Sequence, residues 1–122
     1  MAGEKVLLVD DTRLNRELAK DILEIEGYKV IEAGNGKEAL NRARQNNPDI
    51  ILLDIELPDI NGLEVAKLLK EDPQTRGIPI VALTAHHQPD DQSSFLAAGC
   101  VGFISKPFDI KTFPKMLANF LK

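Results

Sequence analysis

Five short and nearly unbroken apolar runs, parted by segments of helical periodicity, constrain this chain more than any other feature of it. They are Val6-Leu7-Leu8-Val9, Val30-Ile31, Ile50-Ile51-Leu52-Leu53, Ile78-Pro79-Ile80-Val81-Ala82-Leu83 and Val101-Gly102-Phe103-Ile104. A strand with one wet face alternates apolar and polar residues, whereas a run without alternation belongs to a strand covered on both faces, as in parallel sheets. In the intervening segments apolar residues recur at spacings of three and four: Leu14, Leu18, Ile22 and Ile25, then Ala39, Leu40 and Ala43, then Val65, Leu68 and Leu69. Each set predicts a crossover helix with one buried stripe.

Punctuation supports this division. Asp11 or Thr12 can cap the first helix and Gly27 stands where it would end. Asn61 before Gly62 starts the third and Pro73 stops it. A fourth, short and polar, falls within Pro89–Ala98. Asp109 can cap the last, whose stripe is Ile110, Phe113, Leu117 and Phe120, with Pro114 in its first turns. The expectation is an α/β fold, a doubly wound (βα)5 parallel five-stranded sheet in the flavodoxin-like order 2-1-3-4-5.

At 122 residues the chain has the length of one domain, so positions 1–122 are read as that unit, with no effector domain. An excess of 19 acidic over 15 basic residues argues against binding nucleic acid directly. No apolar stretch approaches the roughly 18 residues a membrane span needs. The polar start, Met1 to Lys5, has no signal-peptide character, and the lone Cys100 suits a reducing compartment, so a cytoplasmic protein is expected.

In open α/β sheets ligands bind outside the carboxyl ends of the strands. The residues closing the apolar runs there are Asp10 and Asp11, Asp54, Thr84 and Lys106. With the first and third strands adjacent, about 4.8 Å apart, the three acids gather at one point. Taken singly, Asp10 or Asp11 is a helix cap, Asp54 a strand-end acid, Thr84 a common strand residue and Lys106 a solvated lysine before a turn proline. Together, three mutually repelling carboxylates call for a cation, and all-oxygen ligands with room for water favour Mg2+, with Mn2+ as the substitute ion. A carboxylate beside a metal, flanked by a hydroxyl and an ammonium, suits formation of an aspartyl phosphate.

These pieces in this order resemble the response-regulator receiver domains of two-component signalling. The matching segments are Leu7-Leu8-Val9-Asp10-Asp11, Asp54-Ile55-Glu56-Leu57-Pro58 with Gly62 beyond, Thr84-Ala85, Ala97-Ala98-Gly99-Cys100 and Ser105-Lys106-Pro107-Phe108. The resemblance implies Asp54 as phosphoacceptor, Mg2+ held by Asp10, Asp11, Asp54 and the backbone carbonyl of Glu56, and a phosphoryl group met by Thr84 and Lys106. It implies a switch aromatic at Phe103, for which plain core packing is the equal alternative. Glu56 and His86 become candidates for tuning phosphate lifetime, although His86 and His87 also read as solvated loop residues. The partners implied are a histidine kinase or phosphotransfer protein and a downstream protein docking on the face built from the fourth helix, fifth strand and fifth helix. The chain is expected to be a monomer or weak dimer that catalyses only its own phosphotransfer and dephosphorylation. The rival readings are a small phosphatase forming an aspartyl phosphate, an FMN-binding module, a receiver acting without phosphorylation, and a receiver cut from a hybrid kinase. The phosphatase would carry its acids as Asp-x-Asp after the first strand, and the FMN module a Ser, Thr and Gly-rich loop there; Asp10-Asp11-Thr12-Arg13 is neither.

Overall fold

A computed structural model describes residues 3–85, 91–106 and 111–121, and only the backbone of 91 and 92. Five strands alternate with five helices: β1 (Lys5–Val9), α1 (Arg13–Ile25), β2 (Lys29–Ala33), α2 (Gly36–Asn46), β3 (Ile50–Asp54), α3 (Gly62–Glu71), β4 (Ile80–Thr84), α4 (Asp91–Ala97), β5 (Gly102–Ser105) and α5 (Thr112–Leu121). All strand pairs are parallel and the sheet order is β2-β1-β3-β4-β5. No helix among the described residues is long and apolar enough to cross a membrane.

Successive strand residues feed two separate cores. Leu7, Val9, Ile51, Leu53, Ile80 and Ala82 pack against α2, α3 and α4, through residues such as Ala43, Val65, Leu69 and Phe95. Val6, Leu8, Ile50, Leu52, Val81 and Leu83 face the other way, against α1 and α5, through Ala19, Leu23, Phe113 and Leu117. Helices on both faces are why the central runs lack polar alternation. The edge strand β2 is only partly covered, so Lys29 and Glu32 are tolerated in it and its apolar run is short.

The first helix departs from expectation. Its apolar period is as predicted, but Leu14 and Ile25 are 73% and 84% exposed, and the buried face is Ala19, Ile22 and Leu23. Ile22 alone of the predicted stripe is buried, because α1 is rotated about one residue from the face its larger side chains define. In α3, likewise, Leu68 is exposed and Ala66 buried beside Val65 and Leu69. Small alanines let these helices lie close to the sheet.

Helix ends are mostly as read. Gly27 follows α1 at φ 95, the left-handed region in which glycine is unstrained. Asn61 Oδ1 accepts from Leu63 N at 2.8 Å. Asn35 Oδ1 accepts from Glu38 N, while Glu38 Oε1 accepts from Gly34 N, both at 2.8 Å, a reciprocal cap for α2. Thr12 occupies the cap of α1 but makes no side-chain cap bond; Asp10 Oδ1 accepts the Thr12 amide instead, at 2.9 Å. The expected cap at Asp109 lies outside the described residues, as do His86, His87, Pro107 and Ile110.

Candidate functional site

The register sets the site. Val9 of β1 pairs with Leu53 of β3, Asp54 with Leu83 of β4, and Thr84 with Ser105 of β5. Asp10, Asp54, Thr84 and Lys106 therefore leave the sheet at the same edge. Asp10 and Asp54 are buried and Asp11 is exposed, yet one carboxylate oxygen of each lies within 4.8 Å of the others. A cleft of about 250 Å³ opens beside them, lined by Asp11, Thr12, Asp54, Glu56, Ala85 and Lys106.

Both oxygens of Asp54 are held. Oδ1 accepts from Glu56 N and Oδ2 from Lys106 Nζ, each at 2.9 Å. Lys106 follows β5, and its amide donates to Thr84 O at 2.8 Å, so its stem starts from a fixed point and crosses the end of β4. Its ammonium also stands 3.1 Å from Asp10 Oδ2, an ion-pair approach without the angle of a hydrogen bond, which leaves that buried oxygen with no hydrogen-bond partner. Burial lifts the Asp54 carboxyl above its ordinary range, against the opposing pull of the Lys106 and Glu56 hydrogen bonds, and the Asp10 charge adds to the rise. Burial pulls the Lys106 ammonium down, but its hydrogen bond to Asp54 and its close ion-pair contacts with the Asp54 and Asp10 carboxylates outweigh that and leave it raised.

Three clustered carboxylates with one ammonium, and a buried carboxylate oxygen lacking a hydrogen bond, make a donor set that fits a hard divalent cation. Thr84 is buried at the end of β4 and is not among the residues that line the cleft. Glu56 is exposed at the cleft wall. Phe103 is half-buried, its ring 5.8 Å from that of Phe95 on α4. It lines a separate groove of about 320 Å³ with Leu96, Val101 and Phe120.

Two residues escaped the sequence reading. Arg16, in the first turns of α1, donates from a guanidinium nitrogen to Asp10 O at 2.7 Å. Asp59 accepts from Gly36 N and Lys37 N at the start of α2, at 2.8 and 3.0 Å. Only the placement of Asp59, directly after Pro58 in the loop leaving Asp54, hinted at a role.

A parallel sheet of this order with acids and a lysine converging at its carboxyl edge defines a receiver-type signalling module. The family model of the response regulator receiver domain matches residues 6–118, and the chain belongs to that family. It is 42% identical over 118 residues to the polar-differentiation response regulator DivK of Brucella anthropi, covering 97% of this chain and 96% of that one. The structure of Vibrio cholerae chemotaxis protein CheY4 superposes with a TM-score of 0.92 at 34% identity, covering 98% of this chain and 99% of that one. The receiver domain of the Pseudomonas aeruginosa sensor histidine kinase PA1611, solved with a magnesium ion coordinated in its active site cleft, matches with a TM-score of 0.89 at 30% identity over 98% of each chain. The protein is thus a receiver domain of two-component signalling.

Proposed function

We propose that Asp54 is the phosphoacceptor of this receiver and that Asp10, Asp11, Asp54 and the Glu56 carbonyl hold Mg2+ beside it. The observation that carries this reading is the position of the Asp54 carboxylate: buried at the end of β3, within 4.8 Å of two other acids and bonded to Lys106. Bound Mg2+ supplies charge neutralisation to the transferring phosphoryl oxygens.

The chain's own residues do the rest. The Asp54 carboxylate attacks phosphorus; the new oxygen–phosphorus bond forms as the bond to the donor's leaving group breaks, and that group departs with the electron pair. Lys106, now on Asp54 Oδ2, turns its ammonium to a phosphoryl oxygen, and the Thr84 hydroxyl donates to another. The Glu56 amide fixes the carboxylate's orientation throughout. The donor is a histidine kinase or phosphotransfer protein, and the output is the groove at α4, β5 and α5, whose shape follows Thr84 and Phe103 as they repack. Glu56 at the cleft wall tunes donor approach and water access, as does His86. The domain catalyses only its own phosphorylation and dephosphorylation.

Incubation with acetyl phosphate and Mg2+, followed by intact mass measurement, tests this reading. One phosphoryl group is expected on the wild type and none on Asp54→Ala. Addition that survives Asp54→Ala overturns it.

A further inference from the structure

The loop from Ile55 to Asn61 leaves the acid cluster and is tied down at two places. At its base Gly62 N donates to Ile55 O at 2.9 Å. At its tip the Asp59 carboxylate reaches out of its own loop to the first turn of α2, taking Gly36 N on Oδ1 at 2.8 Å and Lys37 N on Oδ2 at 3.0 Å, while Oδ1 also accepts from Ile60 N at 2.8 Å. An anion across free amides at a helix start is a favourable placement. Those amide bonds, the one from Gly36 foremost, hold the Asp59 carboxyl below its ordinary range.

Gly36 is what allows the approach. A Cβ there would sit 2.9 Å from Val65 Cγ2 on α3, 3.2 Å from Ile60 Cβ and 3.3 Å from Asp59 Oδ1, so a side chain would press the start of α2 away from α3 and crowd the loop by a few tenths of an ångström. Between the two ties lies Glu56, whose amide holds Asp54 Oδ1 and which lines the acid cleft. The segment that orients Asp54 is thus anchored to α2 by one exposed carboxylate.

We infer that Asp59 is a positioning residue for the metal site: by clamping the loop to α2 it holds Glu56, and through the Glu56 amide the Asp54 carboxylate, in the arrangement that takes a divalent cation. It touches neither cation nor phosphoryl group. The inference rests on the reading of Asp10, Asp11 and Asp54 as a Mg2+ site.

The test measures Mg2+ affinity by titration calorimetry, well below each protein's unfolding temperature, for wild type, Asp59→Ala, Asp59→Asn and Gly36→Ala. It also follows hydrogen exchange of the Glu56 amide in metal-free protein. Asp59→Ala is expected to weaken Mg2+ binding about tenfold, the usual scale for a group that orients a ligand. Asp59→Asn, which keeps one acceptor oxygen, falls between it and wild type. Gly36→Ala, which leaves every charge in place, weakens binding too, and Glu56 exchange quickens in all three. Phosphorylation of Asp59→Ala by acetyl phosphate recovers at saturating Mg2+. A variant that merely loses thermal stability, with Mg2+ affinity and Glu56 exchange unchanged, overturns the positioning role. Wild type that binds no Mg2+ overturns the metal reading itself and the inference with it, a result distinct from wild-type binding that Asp59→Ala leaves untouched.

Discussion

Lys106 Nζ stands 2.9 Å from Asp54 Oδ2 and 3.1 Å from Asp10 Oδ2, one ammonium shared by two buried carboxylates at the end of a parallel sheet. Without it those two charges would face each other across a poorly hydrated gap. Lys106→Met is therefore expected to destabilise the metal-free protein by roughly 2–3 kcal/mol, somewhat less than a fully dry pair would lose. Because the lysine is raised in the folded state, its stabilising share is complete below the ordinary value of 10.5 and is lost only as pH climbs through the higher folded value. Urea midpoints of wild type and variant should differ at neutral pH and converge at strongly alkaline pH. Equal midpoints at neutral pH would show that the ammonium does not hold the acids together.

Gly62 gives a purely steric prediction. A Cβ there would lie 2.3 Å from Asp54 O and 2.6 Å from Ile55 Cα, and both are backbone atoms that cannot swing aside. Gly62→Ala should cost about 3 kcal/mol or more, at the upper end for overpacking, because β3 and the start of α3 must separate. Equilibrium urea unfolding measures this. A neutral substitution would mean that the base of the loop is not rigid.

How much of this was legible in the sequence follows from what each signal encodes. The central strands Ile50–Asp54 and Ile80–Thr84 were plain because burial on both faces forbids polar residues within the strand. The residues that end those strands then have only one edge to occupy, so the sequence alone brings Asp10, Asp11, Asp54 and Lys106 together. The face of α1 was not legible. Leu14, Leu18 and Ile25 outweigh Ala19 in hydrophobicity, and periodicity assigns a stripe without saying that close helix–sheet packing prefers the small side chain. Asp59 and Arg16 were missed for a different reason: the contacts that tie them to the site are to backbone groups, the amides of α2 and the carbonyl of Asp10, and no side-chain pattern records those, although Arg16 also pairs with Glu32 at 3.4 Å.

Cys100 is 3% exposed, and burial pushes its thiol up from 9.0 to about 11, with the nearby Lys70 ammonium opposing. Native protein should react slowly with a thiol reagent such as Ellman's reagent, and quickly once unfolded in urea. Between those two values the unfolded thiol has lost its proton while the folded one keeps it, so this group makes stability fall as pH rises through that window. Cys100→Ala should flatten that part of the alkaline stability profile. A thiol that reacts fast in native protein at neutral pH would contradict the burial.

Asp54→Asn should reverse its effect on stability when Mg2+ is added. The Asp54 carboxyl is raised above its ordinary 3.8, chiefly by burial. A raised acid favours folding at low pH and loses that advantage as pH rises through the folded value, so at neutral pH the ionised group opposes folding. In the variant Lys106 keeps Asp10 as its partner, and the metal-free protein should gain on the order of 1 kcal/mol. Mg2+ inverts the order: a ligand bound only by the folded state stabilises by about 2.7 kcal/mol at a hundredfold excess over its dissociation constant. Wild type, with all three carboxylates, takes that gain in full, whereas the variant, short of one, takes little. Thermal melts with chelator and with saturating Mg2+ should therefore cross, the variant melting higher without the ion and lower with it. Parallel shifts in both proteins would mean that Asp54 contributes nothing to holding the cation.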